Sequence, residues 1–113
     1  MMDGFEFEEF LAMLFTKMGY NTTVTKSTGD QGIDVVVERE GKKYGIQAKC
    51  YSGTVGNAAI QEAVAGKSFY NLDKVMVITN SHFTEAAIAL ARSNGVVIWD
   101  REILEEKLHY INE

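Results

Sequence analysis

The stretch IDVVVEREGKKYGIQAKC, residues 33–50, holds the chain to a β-hairpin. Ile33–Val37 and Tyr44–Cys50 read as two strands, rich in β-branched and aromatic residues and joined at Glu40-Gly41-Lys42, a turn signal. Side chains alternate between the faces of a strand, so residues two apart share one. Ile46, Ala48 and Cys50 therefore turn to an apolar face, and Gln47 and Lys49 to the other. Asp34 lies in the partner strand, within reach of the same polar spot. Charged and amide side chains rarely sit in buried strands, so Asp34, Gln47 and Lys49 ask for a chemical reason.

Around this hairpin the pattern is alternately helical and extended. Phe7, Phe10, Leu11, Leu14, Phe15 and Met18 fall on one helix face, which Gly19 and Asn21 end. Asn21–Thr25 reads as a short strand, and STGDQG (27–32) as a loop. Ala58 to about Tyr70 has helical spacing through Ile60, Val64 and Phe69. Lys74–Thr79 is a buried strand pattern. Thr84 is an N-cap candidate for a helix to Asn94, with Gly95 at its end. Val96–Trp99 is the last strand, and Asp100 caps a terminal helix through Leu108. The order α-β-β-β-α-β-α-β-α predicts an α/β fold with a mixed sheet flanked by helices.

At 113 residues with no proline and no repeat, the expectation is one domain over residues 1–113. Apolar runs fall far short of the roughly 20 residues of a membrane span. The acidic opening MMDGFEFEEF has no secretory-signal pattern. A single cysteine, Cys50, excludes an internal disulfide and fits a cytoplasmic protein. The net charge of −5 excludes a strongly basic nucleic-acid coat protein, but not a nuclease. Residues 20–55 carry Lys26, Arg39, Lys42, Lys43 and Lys49 against Asp30, Asp34, Glu38 and Glu40, a slight basic excess that a bound divalent cation would enlarge.

A carboxylate, an amide carbonyl and an ammonium group together suit phosphodiester hydrolysis. A hard cation such as Mg²⁺ takes one or two carboxylates, then carbonyl oxygens and water. Asp34 is the anionic ligand in this reading, Gln47 a neutral oxygen donor, and the Ala48 backbone carbonyl a further one. Lys49 orients the attacking water or stabilises the charge that develops on the phosphate.

GDQGIDVVV followed by IQAK resembles the catalytic core of the Mrr-type restriction endonucleases, within the PD-(D/E)xK nuclease superfamily. The resemblance extends over nearly the whole chain. GFEFEEFLAMLFTKMGY is similar to the family's first helix, and VMVITNSHFTEAAIALARSNGVVIWD to its closing strand, helix and strand. No proline precedes Asp34, and Gln47 stands where the superfamily usually has an acidic residue; the Q-x-K variant is typical of the Mrr branch. The resemblance implies a three-layer α-β-α fold with a central mixed sheet of about five strands. It also implies a metal-dependent DNA endonuclease using Mg²⁺, with Mn²⁺ able to substitute.

In that family a Glu on the first helix joins the site. At about 100° per residue, Glu9 faces away from the apolar side while Glu8 lies at its edge, so Glu8 is the candidate. A Gln on the second helix often faces the family's active centre, which makes Gln61 a further catalytic candidate; Glu62 beside it reads as solvated. Tyr51 and Ser52, just past the strand, and Lys26, in the basic middle segment, are candidate DNA contacts. Asp30 reads as a turn residue, His82 as structural, Cys50 as a buried thiol, and Trp99 and the methionines as core. Two alternatives remain: a catalytically weak or inactive module of the same fold that binds DNA or a partner, and a structure-selective nuclease of the Holliday-junction type. A coordinated double-strand cut needs two copies, so a homodimer is expected. Sequence preference would be poor, or come from self-association or from a separate recognition protein.

Overall fold

The computed structural model describes residues 2–25 and 32–112. Its elements are α1 (Gly4–Lys17), β1 (Asn21–Val24), β2 (Val35–Arg39), β3 (Lys42–Lys49), α2 (Asn57–Phe69), β4 (Lys74–Thr79), α3 (Glu85–Asn94), β5 (Val97–Trp99) and α4 (Arg101–Ile111). Order and type agree with the sequence pattern. Lys26 and Asp30 lie outside the described residues.

The five strands lie in chain order, β1 to β5. β1, β2 and β3 are antiparallel neighbours, whereas β3, β4 and β5 run parallel. The β2–β3 turn is two residues long, Glu40 and Gly41, both at positive φ (55° and 79°). That conformation matches the twist of the flanking strands and keeps the hairpin tight. β2 starts two residues later than the apolar pattern suggests, at Val35, and β3 starts earlier, at Lys42.

Each parallel connection carries a helix, α2 and then α3. Strands added in one direction through right-handed crossovers put both helices on one face of the sheet. One apolar cluster, with Ile33, Ala59, Ile60, Ala63, Val75, Val77, Ala87 and Ala91, fills that face. Phe7, Leu11, Leu14 and Phe15 of α1 and Leu104 of α4 cover the other, against Val35, Val37, Ile46, Ile78 and Trp99. Leu11, Leu14, Ile46 and Ile78 are wholly excluded from water, each stabilising the fold by roughly 1.5–3 kcal/mol. The result is a three-layer α-β-α sandwich. Among the described residues no helix is long and apolar enough to cross a membrane.

The helix ends follow their sequence signals. Asp3 and Glu6 form a capping box at α1, the Thr84 side chain accepts from Ala87 N–H, and Asp100 accepts from Ile103 N–H. The α2 face departs from expectation. Ala59, Ile60, Ala63 and Gly66 are buried, whereas Val64 and Phe69 are exposed. Small residues let α2 lie close to the sheet and α3, and the larger side chains rotate outward. Met13 is also exposed, against its core spacing.

Candidate active site

Lys49 ends β3 and Asp34 immediately precedes antiparallel β2, so both stand at the carboxyl end of the parallel strands. Ligands of open α/β sheets bind outside that edge. The N–H of Asp34 donates to the carbonyl of Ile46 at 2.7 Å, although Ile46 is the ladder partner of Val35. Two residues of one strand thus oppose one of the next, a β-bulge, which re-aims a side chain. Through it Asp34 Oδ2 accepts the Ala48 N–H at 2.8 Å.

Thr25, just past β1, fixes this bulge. Its N–H donates to the Asp34 carbonyl at 2.9 Å, and its hydroxyl to the carbonyl of Ile33 at 2.8 Å and that of Asp34 at 3.1 Å. On the other side Gly32, at φ +72°, runs so close to α2 that a Cβ would collide with the Glu62 backbone carbonyl. Only glycine takes both the left-handed backbone and the close approach without strain.

Gln47 is 5 % exposed. Its Nε2 donates to Glu62 Oε1 at 2.6 Å, while its Oε1 is buried with no partner among the described residues. Buried carbonyl oxygens are nearly always satisfied by protein, water or an ion, so this atom is open to a partner from outside the chain. Lys49 Nζ stands 3.2 Å from the same Glu62 oxygen and 5.8 Å from the centre of the Tyr51 ring. On α1, Glu8 is half-buried against Asp34. Burial first, then the Asp34 charge and a hydrogen bond given to Asp34, push its pKa up to about 7. Burial also raises Asp34, opposed by the Ala48 N–H and by Lys49.

Asp34, Gln47, Ala48, Lys49 and Glu8 are therefore neighbours. Gln61 is not among them; it lines a groove with Val64, Leu90 and Asn94 on the outer side of α2. One residue further along the helix, Glu62 takes the place at the site, exposed but engaged rather than merely solvated. The i, i+1 step of about 100° decides which of the two faces the sheet; the expectation from sequence puts Gln61 there and leaves Glu62 to solvent, and the structure reverses the two. Tyr51 and Ser52 are exposed beyond β3, and Tyr51 N–H is held by Asn80 Oδ1 at 2.8 Å. The Cys50 thiol is half-buried and donates to the Met2 carbonyl at 3.1 Å. His82 pairs with Glu102 at 3.1 Å, both side chains largely exposed.

Among the described residues no three acidic, His or Cys side chains gather closely enough to hold an ion alone. The donor set nevertheless suits Mg²⁺, which takes one or two carboxylates and fills its remaining positions with carbonyl oxygen and water. Asp34 would supply the charge, and the orphaned Gln47 oxygen the neutral donor.

Three solved structures share the fold. A protein of unknown function, AF1548, is 24% identical over 90% of this chain and 65% of that one, with a TM-score of 0.75. The DNA modification-dependent restriction endonuclease AspBHI is 16% identical over 96% of this chain and 32% of its own, at 0.79. MspJI restriction endonuclease, in complex with a 27-mer oligonucleotide, is 19% identical over 88% and 25%, at 0.60. The chain thus spans less than two thirds of each of these proteins. No curated protein sequence matches it. A family model described as restriction endonuclease, the Mrr catalytic type, matches residues 1–108, and the chain belongs to that family.

Proposed function

We propose that this chain is a metal-dependent endodeoxyribonuclease domain that hydrolyses phosphodiester bonds in DNA. The observation that carries the reading is the buried, unpartnered Gln47 oxygen beside Asp34 and Lys49. Asp34, Gln47 and the Ala48 carbonyl would hold Mg²⁺ or Mn²⁺. When bound, the ion lowers the pKa of water and neutralises phosphate charge. Lys49 places its ammonium where negative charge grows on the phosphate. Glu8, titrating near neutrality, accepts or holds a proton beside Asp34 at working pH. Tyr51 and Ser52, exposed beyond β3, contact the DNA backbone next to the reacting phosphate, and Lys26, outside the described residues, is a further candidate for a backbone contact.

MspJI was solved with an oligonucleotide, which supports DNA as the substrate class. Most of the length of AspBHI and MspJI lies outside the part that this chain matches, so we assign target recognition to protein outside these residues. Cleavage of both strands then requires two copies, and we propose a homodimer on DNA, in the reducing cytoplasm that a lone Cys50 suits.

Purified protein with Mg²⁺ or Mn²⁺ is expected to nick or cut plasmid DNA. Asp34→Ala and Lys49→Ala should lose cleavage while keeping the wild-type circular dichroism spectrum; full activity in either sinks the site assignment. An amide at Gln47 in place of a charged ligand, with no tight group of three acidic, His or Cys side chains among the described residues, favours a second reading, a weakly catalytic DNA-binding module. DNA binding without cleavage, and without Mn²⁺ uptake in calorimetry, selects it. A preference for branched over linear duplexes would select a junction nuclease.

A further inference from the structure

We propose that Glu62 is a positioning residue of this site. It orients the Gln47 amide and holds Lys49, and it supplies, one hydrogen bond away, the negative charge that an amide at position 47 lacks. The inference rests on the nuclease reading for its metal-related part only.

A glutamine amide has nearly the same shape either way round, so its neighbours decide which end is oxygen. At 2.6 Å from a carboxylate oxygen only the NH₂ end of Gln47 can face Glu62. The reverse orientation would press two lone-pair oxygens together. Glu62 therefore determines that the buried, free atom is the carbonyl oxygen, a cation ligand, and not the NH₂ group, which would repel one. A hydrogen bond from the amide to a carboxylate also polarises the carbonyl and strengthens it as a donor.

The same Glu62 oxygen is 3.2 Å from Lys49 Nζ. Lys49, at the end of β3, and Asp34, just before β2, stand at the same edge of the sheet. With Glu62 removed, the flexible lysine stem is free to settle on Asp34 and compete with a cation for it. Glu62 itself is well placed to act as a fixed post. Its backbone carbonyl abuts Gly32, on the segment that leads into Asp34, so main chain from both sides of the site meets at this residue. Because its side chain is half exposed, the ion pair adds little to stability. What it contributes is geometry.

The test compares wild type with Glu62→Gln, Glu62→Asp and the double variant Gln47→Glu/Glu62→Gln. In metal-free protein, the ¹⁵N–¹H side-chain signals of Gln47 are expected to be shifted by the carboxylate, and to return to ordinary glutamine positions in Glu62→Gln. Mn²⁺ affinity by calorimetry should fall about tenfold in Glu62→Gln, recover in part in Glu62→Asp, and equal or exceed wild type in the double variant. Cleavage by Glu62→Gln should lose kcat while KM for DNA stays unchanged. If the Gln47 signals and Mn²⁺ affinity are the same in Glu62→Gln and wild type, the proposal is overturned and the nuclease reading stands. If wild type binds no Mn²⁺ yet the Gln47 signals still change, the nuclease reading fails and the orienting role is supported.

Discussion

Glu8 on α1 and Asp34 just before β2 interact across the seam between α1 and the sheet, where burial and the Asp34 charge raise the Glu8 carboxyl. Burial raises both carboxyls, and in Glu8 the midpoint reaches about 7 from an ordinary 4.5. The folded state therefore binds more protons than the unfolded chain between those two values. Stability contributed by the protonated pair is complete below about 4.5 and is lost as pH rises through about 7. Glu8→Gln keeps the donor and removes the titration. In thermal melts of metal-free protein it should raise Tm relative to wild type at pH 8 and have little effect at pH 5. An equal shift at both values would mean that the two carboxyls do not interact.

A cation that binds the folded site and not the unfolded chain raises stability by mass action, about 2.7 kcal/mol at a hundredfold excess over Kd. Mn²⁺ should therefore raise the Tm of wild type. Asp34→Asn removes the proposed anionic ligand at constant size and should abolish that increase. The variant also relieves carboxylate crowding with Glu8, so its metal-free Tm is expected to equal or exceed that of wild type. A cation-dependent shift that survives in Asp34→Asn would place the ion elsewhere.

Gly32 carries two demands at once, a left-handed backbone and contact with the Glu62 carbonyl. Gly32→Ala pays the left-handed penalty of about 1–2 kcal/mol and must also push α2 away. Because the displaced segment carries Glu62 and the displaced loop leads to Asp34, cleavage should fall further than stability does. Urea denaturation measures the first and plasmid nicking the second. An alanine variant with wild-type values of both would show that the close approach is relaxed in solution.

The hairpin, the caps of α3 and α4 and the order of elements along the chain were readable from local chemistry. Glu40-Gly41, Thr84 and Asp100 each specify a turn or cap through a few neighbouring atoms. Alternation also placed Gln47 and Lys49 on one face, and the edge of the apolar stripe distinguished Glu8 from Glu9. What stayed hidden depends on contacts between distant segments. The bulge at Asp34 arises from how β2 meets Ile46 and from the Thr25 clamp, and no pattern within residues 33–37 announces it. Glu62 rather than Gln61 faces the site because α2 packs through Ala59, Ala63 and Gly66. The larger residues Val64 and Phe69 suggested a different rotation.

The Thr25 clamp offers a way to disturb Asp34 without touching it. Thr25→Val preserves shape and β-propensity while deleting the hydroxyl that donates to the Ile33 and Asp34 carbonyls. A partly buried hydrogen bond of this kind contributes about 1 kcal/mol, so the fold should survive with a modest decrease in Tm. The backbone N–H of Thr25 still donates to the Asp34 carbonyl, which keeps the strand paired. Freed on one side, the bulge no longer holds the carboxylate over Ala48 N–H in one orientation, and a misplaced catalytic group costs far more in rate than in stability. Plasmid cleavage should drop at least tenfold at a temperature where the variant is fully folded. Thr25→Ser, which restores the donor, should recover most of that loss; if serine and valine behave alike, the hydroxyl has no part in setting Asp34.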